Sequence, residues 1–156
     1  MKKTALALAA SLLLLAACDS SSSTDGTSGS NGMGSTAPGT QGDLSTNVGD
    51  RVFYELDSST LNGEAQATLD RQAKWLGQYS NVNIVIEGHA DERGTREYNI
   101  ALGERRATAA KNYLVNSGVS AARVSIISYG KERPAVMGSD ESAWSQNRRA
   151  VTVIAN

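Results

Sequence analysis

The chain has 156 residues, of which 15 are lysine or arginine and 16 aspartate or glutamate, with one histidine and one cysteine. The near balance of charge argues against the basic surface that nucleic-acid binding requires. One cysteine excludes an intramolecular disulfide, and one histidine excludes a metal site built from several histidines.

The first seventeen residues have the pattern of an export signal. Lys2 and Lys3 supply a positive start, residues 5–17 are apolar, and small residues precede Cys18. The apolar run is too short to span a bilayer stably. Residues 15–18 (LAAC) resemble a bacterial lipobox, which implies a diacylglyceryl thioether on Cys18 and an acylated amino terminus. The alternative is an ordinary cleavage site beside which Cys18 is a bystander.

Residues 18–47 are predicted to be a flexible linker. Serine, threonine and glycine dominate, so the segment cannot bury enough apolar surface to offset the entropy of ordering. About thirty such residues have a root-mean-square reach on the order of 30 Å. Asp19 resembles the signal that retains lipoproteins in the inner membrane of enteric bacteria, which leaves the destination membrane open.

Residues 48–156 form the predicted folded domain. Periodicity of the apolar residues predicts, in chain order, a strand at 52–56, a helix at 65–77, a strand at 82–87, a helix at 95–117, a strand at 124–129, a short helix at 140–144 and a strand at 149–154. Trp75 and Tyr79 are assigned to the flank of the first helix. This order predicts an α+β fold with two main helices on one face of a four-stranded mixed sheet.

The second main helix has a charged residue in the middle of its buried face. At 100° per residue, Asn99, Leu102 and Arg106 share the inward side, while Arg105 faces water. A desolvated guanidinium needs a partner, and the nearest candidate is Asp91 in the preceding loop. Two interpretations remain open: a structural Asp91–Arg106 salt bridge, or a pair that grips a ligand carrying both an amino group and a carboxylate.

Four segments carry a family resemblance: residues 88–95 (GHADERGT), 97–107 (EYNIALGERRA), 125–136 (SIISYGKERPAV) and 147–151 (NRRAV). They closely resemble the peptidoglycan-associated lipoproteins of the OmpA-like domain family. The resemblance extends from residue 52 to the carboxyl end. The fold that it implies is the α+β arrangement predicted from the periodicity.

The resemblance implies a set of peptidoglycan-binding residues. Asp91 and Arg106 correspond to the pair that grips meso-diaminopimelate in the peptide stem of peptidoglycan. One carbon of that ligand carries an ammonium and a carboxylate, and the planar arginine fork can bind the carboxylate bidentately. Asn99 completes the pattern as a hydrogen-bonding group and Leu102 as an apolar wall.

Asp57 and Arg93 are two further candidates for contact with the stem peptide. For both, a solvated loop charge is nearly as good an interpretation. His89 is interpreted as a hydrogen-bonded histidine at a strand end. The sequence has no G-x-S-x-G nucleophile motif and no second histidine. The resemblance implies neither enzymatic activity nor a cofactor.

By the same resemblance, the protein is expected to be an outer-membrane lipoprotein that faces the periplasm and tethers the membrane to the cell wall. Its expected partners are peptidoglycan, the membrane through the lipid, and TolB of the Tol-Pal system, which acts in envelope constriction at cell division. Residues 131–134 and the loop around Asp91 are the expected TolB contacts. The alternatives are a periplasmic hydrolase and a wall-binding lipoprotein outside the Tol-Pal system.

Overall fold

The computed structural model describes residues 36–155, and the predicted export signal, Cys18 and the linker up to residue 35 lie outside this range. In chain order the elements are α1 (Gln41–Asp43), β1 (Arg51–Phe53), α2 (Gly63–Gln78), β2 (Ile84–His89), α3 (Arg96–Asn116), β3 (Val124–Gly130), α4 (Glu141–Asn147) and β4 (Arg149–Ile154). Between residues 36 and 155, no helix has both the length and the apolar character that crossing a bilayer requires.

The helix starts follow from capping side chains. Asn62, Thr95 and Asp140 precede α2, α3 and α4, and each side chain accepts a hydrogen bond from a backbone N–H of the first turn. These bonds satisfy donors that have no partner within the helix. The short helix predicted at 140–144 is confirmed, and it continues to Asn147.

The four strands form one sheet in the order β1-β4-β2-β3. β2 and β3 are parallel, and β4 is antiparallel to both β1 and β2. The predicted α+β fold with a mixed four-stranded sheet is confirmed. β1 is shorter than predicted, because the chain leaves the sheet after Phe53 and turns at Asp57, which has a positive φ of 54°.

One hydrophobic core lies between the sheet and helices α2 and α3. Leu69 and Leu76 of α2, Leu114 of α3 and Ile86 of β2 are among its fully buried members. The placement of Trp75 on the flank of α2 is wrong, because this side chain is buried in the core. Its indole N–H donates to Asp43 Oδ2 at 2.8 Å, which satisfies the one polar atom of the ring.

The folded domain begins before the predicted boundary at residue 48. After α1, residues Leu44–Val48 continue as a π-helical turn, and the Leu44 side chain is fully buried in the core. The Gln41 side chain donates to Thr152 O and accepts from the Ile154 backbone N–H, which joins this segment to β4. Assigning residues 41–47 to the flexible linker is therefore wrong.

Two glycines let α3 lie directly against β2. A Cβ atom on Gly88 would come within 1.8 Å of Gly103 O, and one on Gly103 within 2.3 Å of Ser128 Oγ. A residue with a Cβ atom at either position would force the helix or the atoms opposite it to move. This close approach fixes the height of α3 above the sheet and so the position of Arg106, one turn further along the helix.

We expect Gly103→Ala to destabilise the domain by about 1–3 kcal/mol, because the added methyl group overpacks the contact between helix and strand. Urea unfolding measures the change. Gly77→Ala in α2 is the matched control, since a Cβ there has nothing within 4 Å, and alanine favours a helix interior by roughly 0.5–1 kcal/mol. Equal stability of the two variants would contradict the close approach.

Candidate ligand-binding cavity

A cavity of about 240 Å³ opens between the start of α3, the loop that precedes it and the segment after β1. Its lining consists of Leu56, Asp57, Asp91, Arg93, Gly94, Tyr98, Asn99, Leu102 and Arg106. The structure therefore brings together all six residues that the sequence nominated for ligand binding, from segments up to fifty residues apart.

Arg106 lies at the inner end of the cavity and is fully buried. Its Nε donates to Ser58 O at 2.8 Å, Nη1 to His89 O at 2.8 Å and Nη2 to Glu55 O at 3.1 Å. A guanidinium has five N–H donors. Within residues 36–155, two of the five therefore make no hydrogen bond. Burial lowers the pKa of Arg106 to about 10, which keeps it cationic at neutral pH.

Asp91 is also buried, but it does not pair with Arg106. Arg93 Nη2 donates to Asp91 Oδ2 at 2.7 Å, and Arg93 Nε donates to Oδ1 at 3.2 Å. Arg148 Nη1 lies 3.6 Å from Oδ2. The predicted Asp91–Arg106 salt bridge is therefore wrong, since among the described residues Arg93 and Arg148 are the ion-pair partners of Asp91.

The charges around Asp91 keep it ionised. Burial alone raises the pKa of the Asp91 carboxyl, but the hydrogen bonds and charge of Arg93, together with the charge of Arg148, hold that pKa below its usual value. The sequence offered no signal for Arg148, which reaches Asp91 because β4 pairs with β1. The Arg148 Nε donates to Tyr54 O at 3.0 Å, which holds the Arg148 side chain beside Asp91.

The loop between β2 and α3 is braced from inside and outside. Asn99 is buried, and its amide nitrogen donates to Arg93 O at 2.8 Å and Thr95 O at 3.1 Å. From outside, Lys131 Nζ donates to Glu92 O at 3.1 Å and Gly94 O at 2.7 Å. Asn99 therefore holds the loop with its amide nitrogen, and only its oxygen is left to face a ligand.

The outer rim of the cavity is apolar on one side and acidic on the other. Leu56 is 57% exposed and Tyr98 43% exposed. Asp57 is exposed at the rim, where its Oδ1 accepts from the Tyr98 hydroxyl. Arg93 forms a two-point ion pair with Asp91. Contact of either Asp57 or Arg93 with the stem peptide stays a prediction.

His89 lies behind the cavity, at the end of β2 as predicted, and it is buried. Its Nε2 is 3.6 Å from Glu87 Oε2, and neither ring nitrogen makes a hydrogen bond of normal geometry to a described residue. Burial, with the nearby charges of Arg149 and Arg133, lowers the pKa of His89 to about 4, so the ring is neutral at pH 7. A side-chain hydrogen bond of His89 stays a prediction.

Residues 53–148 match the OmpA family. The chain belongs to the OmpA family. The peptidoglycan-associated lipoprotein of Rhizobium meliloti is 60% identical over 123 residues, which cover 79% of this chain and 70% of that protein. The corresponding protein of Pseudomonas aeruginosa is 51% identical over 122 residues, which cover 76% of this chain and 72% of that one. The predicted resemblance to these lipoproteins is confirmed.

Solved structures agree with this assignment. The peptidoglycan-associated lipoprotein from Burkholderia pseudomallei superimposes with a TM-score of 0.68 at 38% identity, over 72% of this chain and 100% of that chain. The C-terminal domain of Helicobacter pylori MotB superimposes with a TM-score of 0.62 at 23% identity, over 69% of this chain and 84% of that chain, and shows a shared fold alone.

In this OmpA-family domain the charges that line the cavity cancel. Two carboxylates, Asp57 and Asp91, face two guanidiniums, Arg93 and Arg106, beside the apolar wall of Leu102. A neutral site with separated charges suits a zwitterion better than an ion of either sign. Within residues 36–155, no three His, Cys, Asp or Glu side chains are grouped to hold a metal ion.

Proposed function

We propose that this protein is a non-covalent peptidoglycan-binding lipoprotein whose cavity holds the zwitterionic end of meso-diaminopimelate in the peptide stem. The observation that carries the proposal is the cavity itself, in which a cationic Arg106 with two unused N–H donors lies among two carboxylates. Similar proteins of Rhizobium and Pseudomonas are named peptidoglycan-associated lipoproteins, which supports peptidoglycan as the polymer that is bound.

The proposed roles follow from the geometry. The ligand carboxylate binds the free donors of Arg106, and the ligand ammonium lies against the carboxylates of Asp91 and Asp57. Leu102 covers the methylene chain of the ligand, and the oxygen of Asn99 accepts from the ammonium. Because Arg106 is fully buried, only a head group that enters the cavity can reach the guanidinium.

Co-sedimentation with isolated sacculi tests this proposal. We expect the domain to pellet with diaminopimelate-containing sacculi and free meso-diaminopimelate to release it. The sacculi should remain intact, because the proposed activity is binding alone. Failure to pellet would contradict the proposal, and release of soluble muropeptides would favour the hydrolase alternative.

The membrane anchor belongs to the same proposal. Acyl chains on Cys18 would hold the protein on the outer membrane, since each buried methylene contributes about 0.8 kcal/mol. Fractionation of the two membranes tests the destination. The proposal expects outer-membrane recovery that Cys18→Ala abolishes, whereas recovery in the inner membrane would show that Asp19 acts as a retention signal.

We further propose a role in the Tol-Pal system, with TolB as a second partner during envelope constriction. The supporting contact is that of Lys131, which lies within the expected TolB segment at 131–134 and also braces the cavity loop at Glu92 and Gly94. A pull-down against purified TolB tests the role, and sacculi should compete with TolB. Wall binding without TolB binding would favour a lipoprotein outside the Tol-Pal system.

Wall binding is expected to vary by no more than about twofold between pH 5 and 8. Asp91 has a lowered pKa, so its contribution to stability is complete above its unfolded pKa of about 4 and is lost only as the pH falls through the folded value. His89, with a pKa of about 4, stays neutral, and Arg106, with a pKa of about 10, stays charged. Titration with a soluble muropeptide between pH 5 and 8 measures this pH dependence of the affinity. A change in affinity with a midpoint near pH 6.5 would contradict the expected flat profile.

A further inference from the structure

Trp144 of α4 does not line the cavity, yet it contacts two successive residues of the cavity loop. The guanidinium carbon of Arg93 lies 4.0 Å from the centre of the Trp144 ring. The indole N–H donates to Glu92 Oε1 at 3.1 Å. One side chain therefore holds the loop through a cation–π contact and a hydrogen bond.

The indole is held by a helix that is fixed at both ends. Asp140 caps the amino end of α4 through the Ala143 backbone N–H. At the carboxyl end, the Asn147 side chain accepts from the backbone N–H groups of Ala135 and Val136 and donates to Val136 O. The position of Trp144 is thus set by the helix that carries it and by the contacts at both ends of that helix.

The Arg93 side chain links Trp144 to Asp91 in the cavity. Two nitrogens of its guanidinium donate to both carboxylate oxygens of Asp91, and the Arg93 backbone N–H also donates to Oδ1 at 3.1 Å. The hydrogen bond to Oδ2 therefore depends on where the Arg93 side chain lies. The Arg93 side chain is still 35% exposed. A long side chain with this exposure has several rotamers available unless a contact selects one. The Asp91 carboxylate and the indole face are the two contacts that select it.

We propose that Trp144 is a positioning residue, which holds Arg93 over Asp91 and so keeps the Asp91 carboxylate aimed at the bound head group. This inference rests on the proposed peptidoglycan-binding function. It assigns to α4, outside the cavity, a part in the affinity of the site.

The test uses four variants of the folded domain: Trp144→Leu, Trp144→Phe, Arg93→Gln and the Trp144→Leu/Arg93→Gln double variant. The probe is a soluble muropeptide with a diaminopimelate stem, titrated calorimetrically. We expect Trp144→Leu to weaken binding about fivefold, the size of one cation–π contact, and Trp144→Phe to recover most of it, because a phenyl face still accepts the guanidinium. Gln146→Ala, exposed on the same helix, is the control.

The double variant separates positioning from a general loss of structure. If Trp144 acts through Arg93, Trp144→Leu adds no further loss once Arg93 is glutamine. The proposal would be overturned if the double variant lost the sum of the two single losses in affinity. It would also be overturned if Trp144→Leu bound the muropeptide as tightly as wild type.

A second readout needs no ligand. Carboxyl carbon NMR of Asp91 should show a higher titration midpoint in Trp144→Leu than in wild type or Trp144→Phe, since a displaced Arg93 no longer favours the anion. An unchanged midpoint would overturn the positioning role even if the wild-type domain binds the muropeptide. A raised midpoint with no muropeptide binding in wild type would instead retain the positioning role and refute the proposed ligand.

Discussion

Replacing Asp91 by asparagine is expected to weaken the binding of diaminopimelate-containing wall fragments by about 30-fold or more. The amide has nearly the same shape as the carboxylate but carries no charge, so the ligand ammonium loses its buried anionic partner. Removing one member of a buried charged pair costs about 2–5 kcal/mol, and 2 kcal/mol corresponds to about 30-fold in affinity. Calorimetric titration of the folded variant with a soluble muropeptide measures the change.

The same substitution also affects stability, which the experiment must separate from binding. Arg148 Nη1 is buried without a hydrogen-bond partner among the described residues and depends on the charge of Asp91. We therefore expect Asp91→Asn to lose about 1–3 kcal/mol of stability, so the folded fraction is measured at the titration temperature. Asp70→Asn, which changes an exposed acceptor of the Tyr113 hydroxyl, is the control. Unchanged affinity in Asp91→Asn would contradict the assigned role.

Arg106→Met is expected to destabilise the domain by about 3 kcal/mol or more. The substitution keeps much of the aliphatic stem but removes the donors to the carbonyls of Glu55, Ser58 and His89. Hydrogen bonds from charged groups contribute about 1.5–3 kcal/mol each. Urea unfolding, monitored by far-UV circular dichroism, measures the loss. This residue joins three segments of the chain, so its removal loosens β2 and the turn after β1 together.

The neighbouring Arg105 supplies the control for this experiment. Arg105 is exposed on α3, so Arg105→Met is expected to change stability by no more than about 0.5 kcal/mol. An unfolding midpoint of Arg106→Met equal to that of wild type would contradict the structural role of the guanidinium. The Arg106 guanidinium has a structural role as well as a proposed ligand contact, so a loss of wall binding in Arg106→Met cannot alone establish that contact. A loss of affinity in folded Asp91→Asn can establish a ligand contact of Asp91.

The helical period alone placed Arg106 correctly but could not identify its partners. The spacing of Asn99, Leu102 and Arg106 put them on one buried face, as the structure has them. The charge of Asp91, fifteen residues earlier, was the only partner visible in the sequence. The real acceptors are the backbone carbonyls of Glu55, Ser58 and His89. Every residue has a backbone carbonyl, so the residue type does not indicate which one will accept.

Two other features escaped prediction for reasons of sequence distance and composition. Arg148 and Trp144 reach the loop at Asp91 and Arg93 only because β4 pairs with β1 and β2 and places α4 beside the cavity. The helical segment at 41–48 follows a serine- and glycine-rich stretch and has only two strongly apolar residues, Leu44 and Val48. Two apolar residues are too few to establish a period, so their burial depends on the finished core and cannot be predicted locally.

The most direct measurement compares two soluble muropeptides that differ only in the third residue of the stem, meso-diaminopimelate or L-lysine. Lysine has the ammonium but lacks the carboxylate that Arg106 is proposed to bind. Calorimetric titration of the wild-type domain should show binding of the diaminopimelate form and at least about tenfold weaker binding of the lysine form, since a lost charged hydrogen bond costs about 1.5–3 kcal/mol. Equal affinity for the two would contradict recognition of a zwitterionic carbon by this cavity.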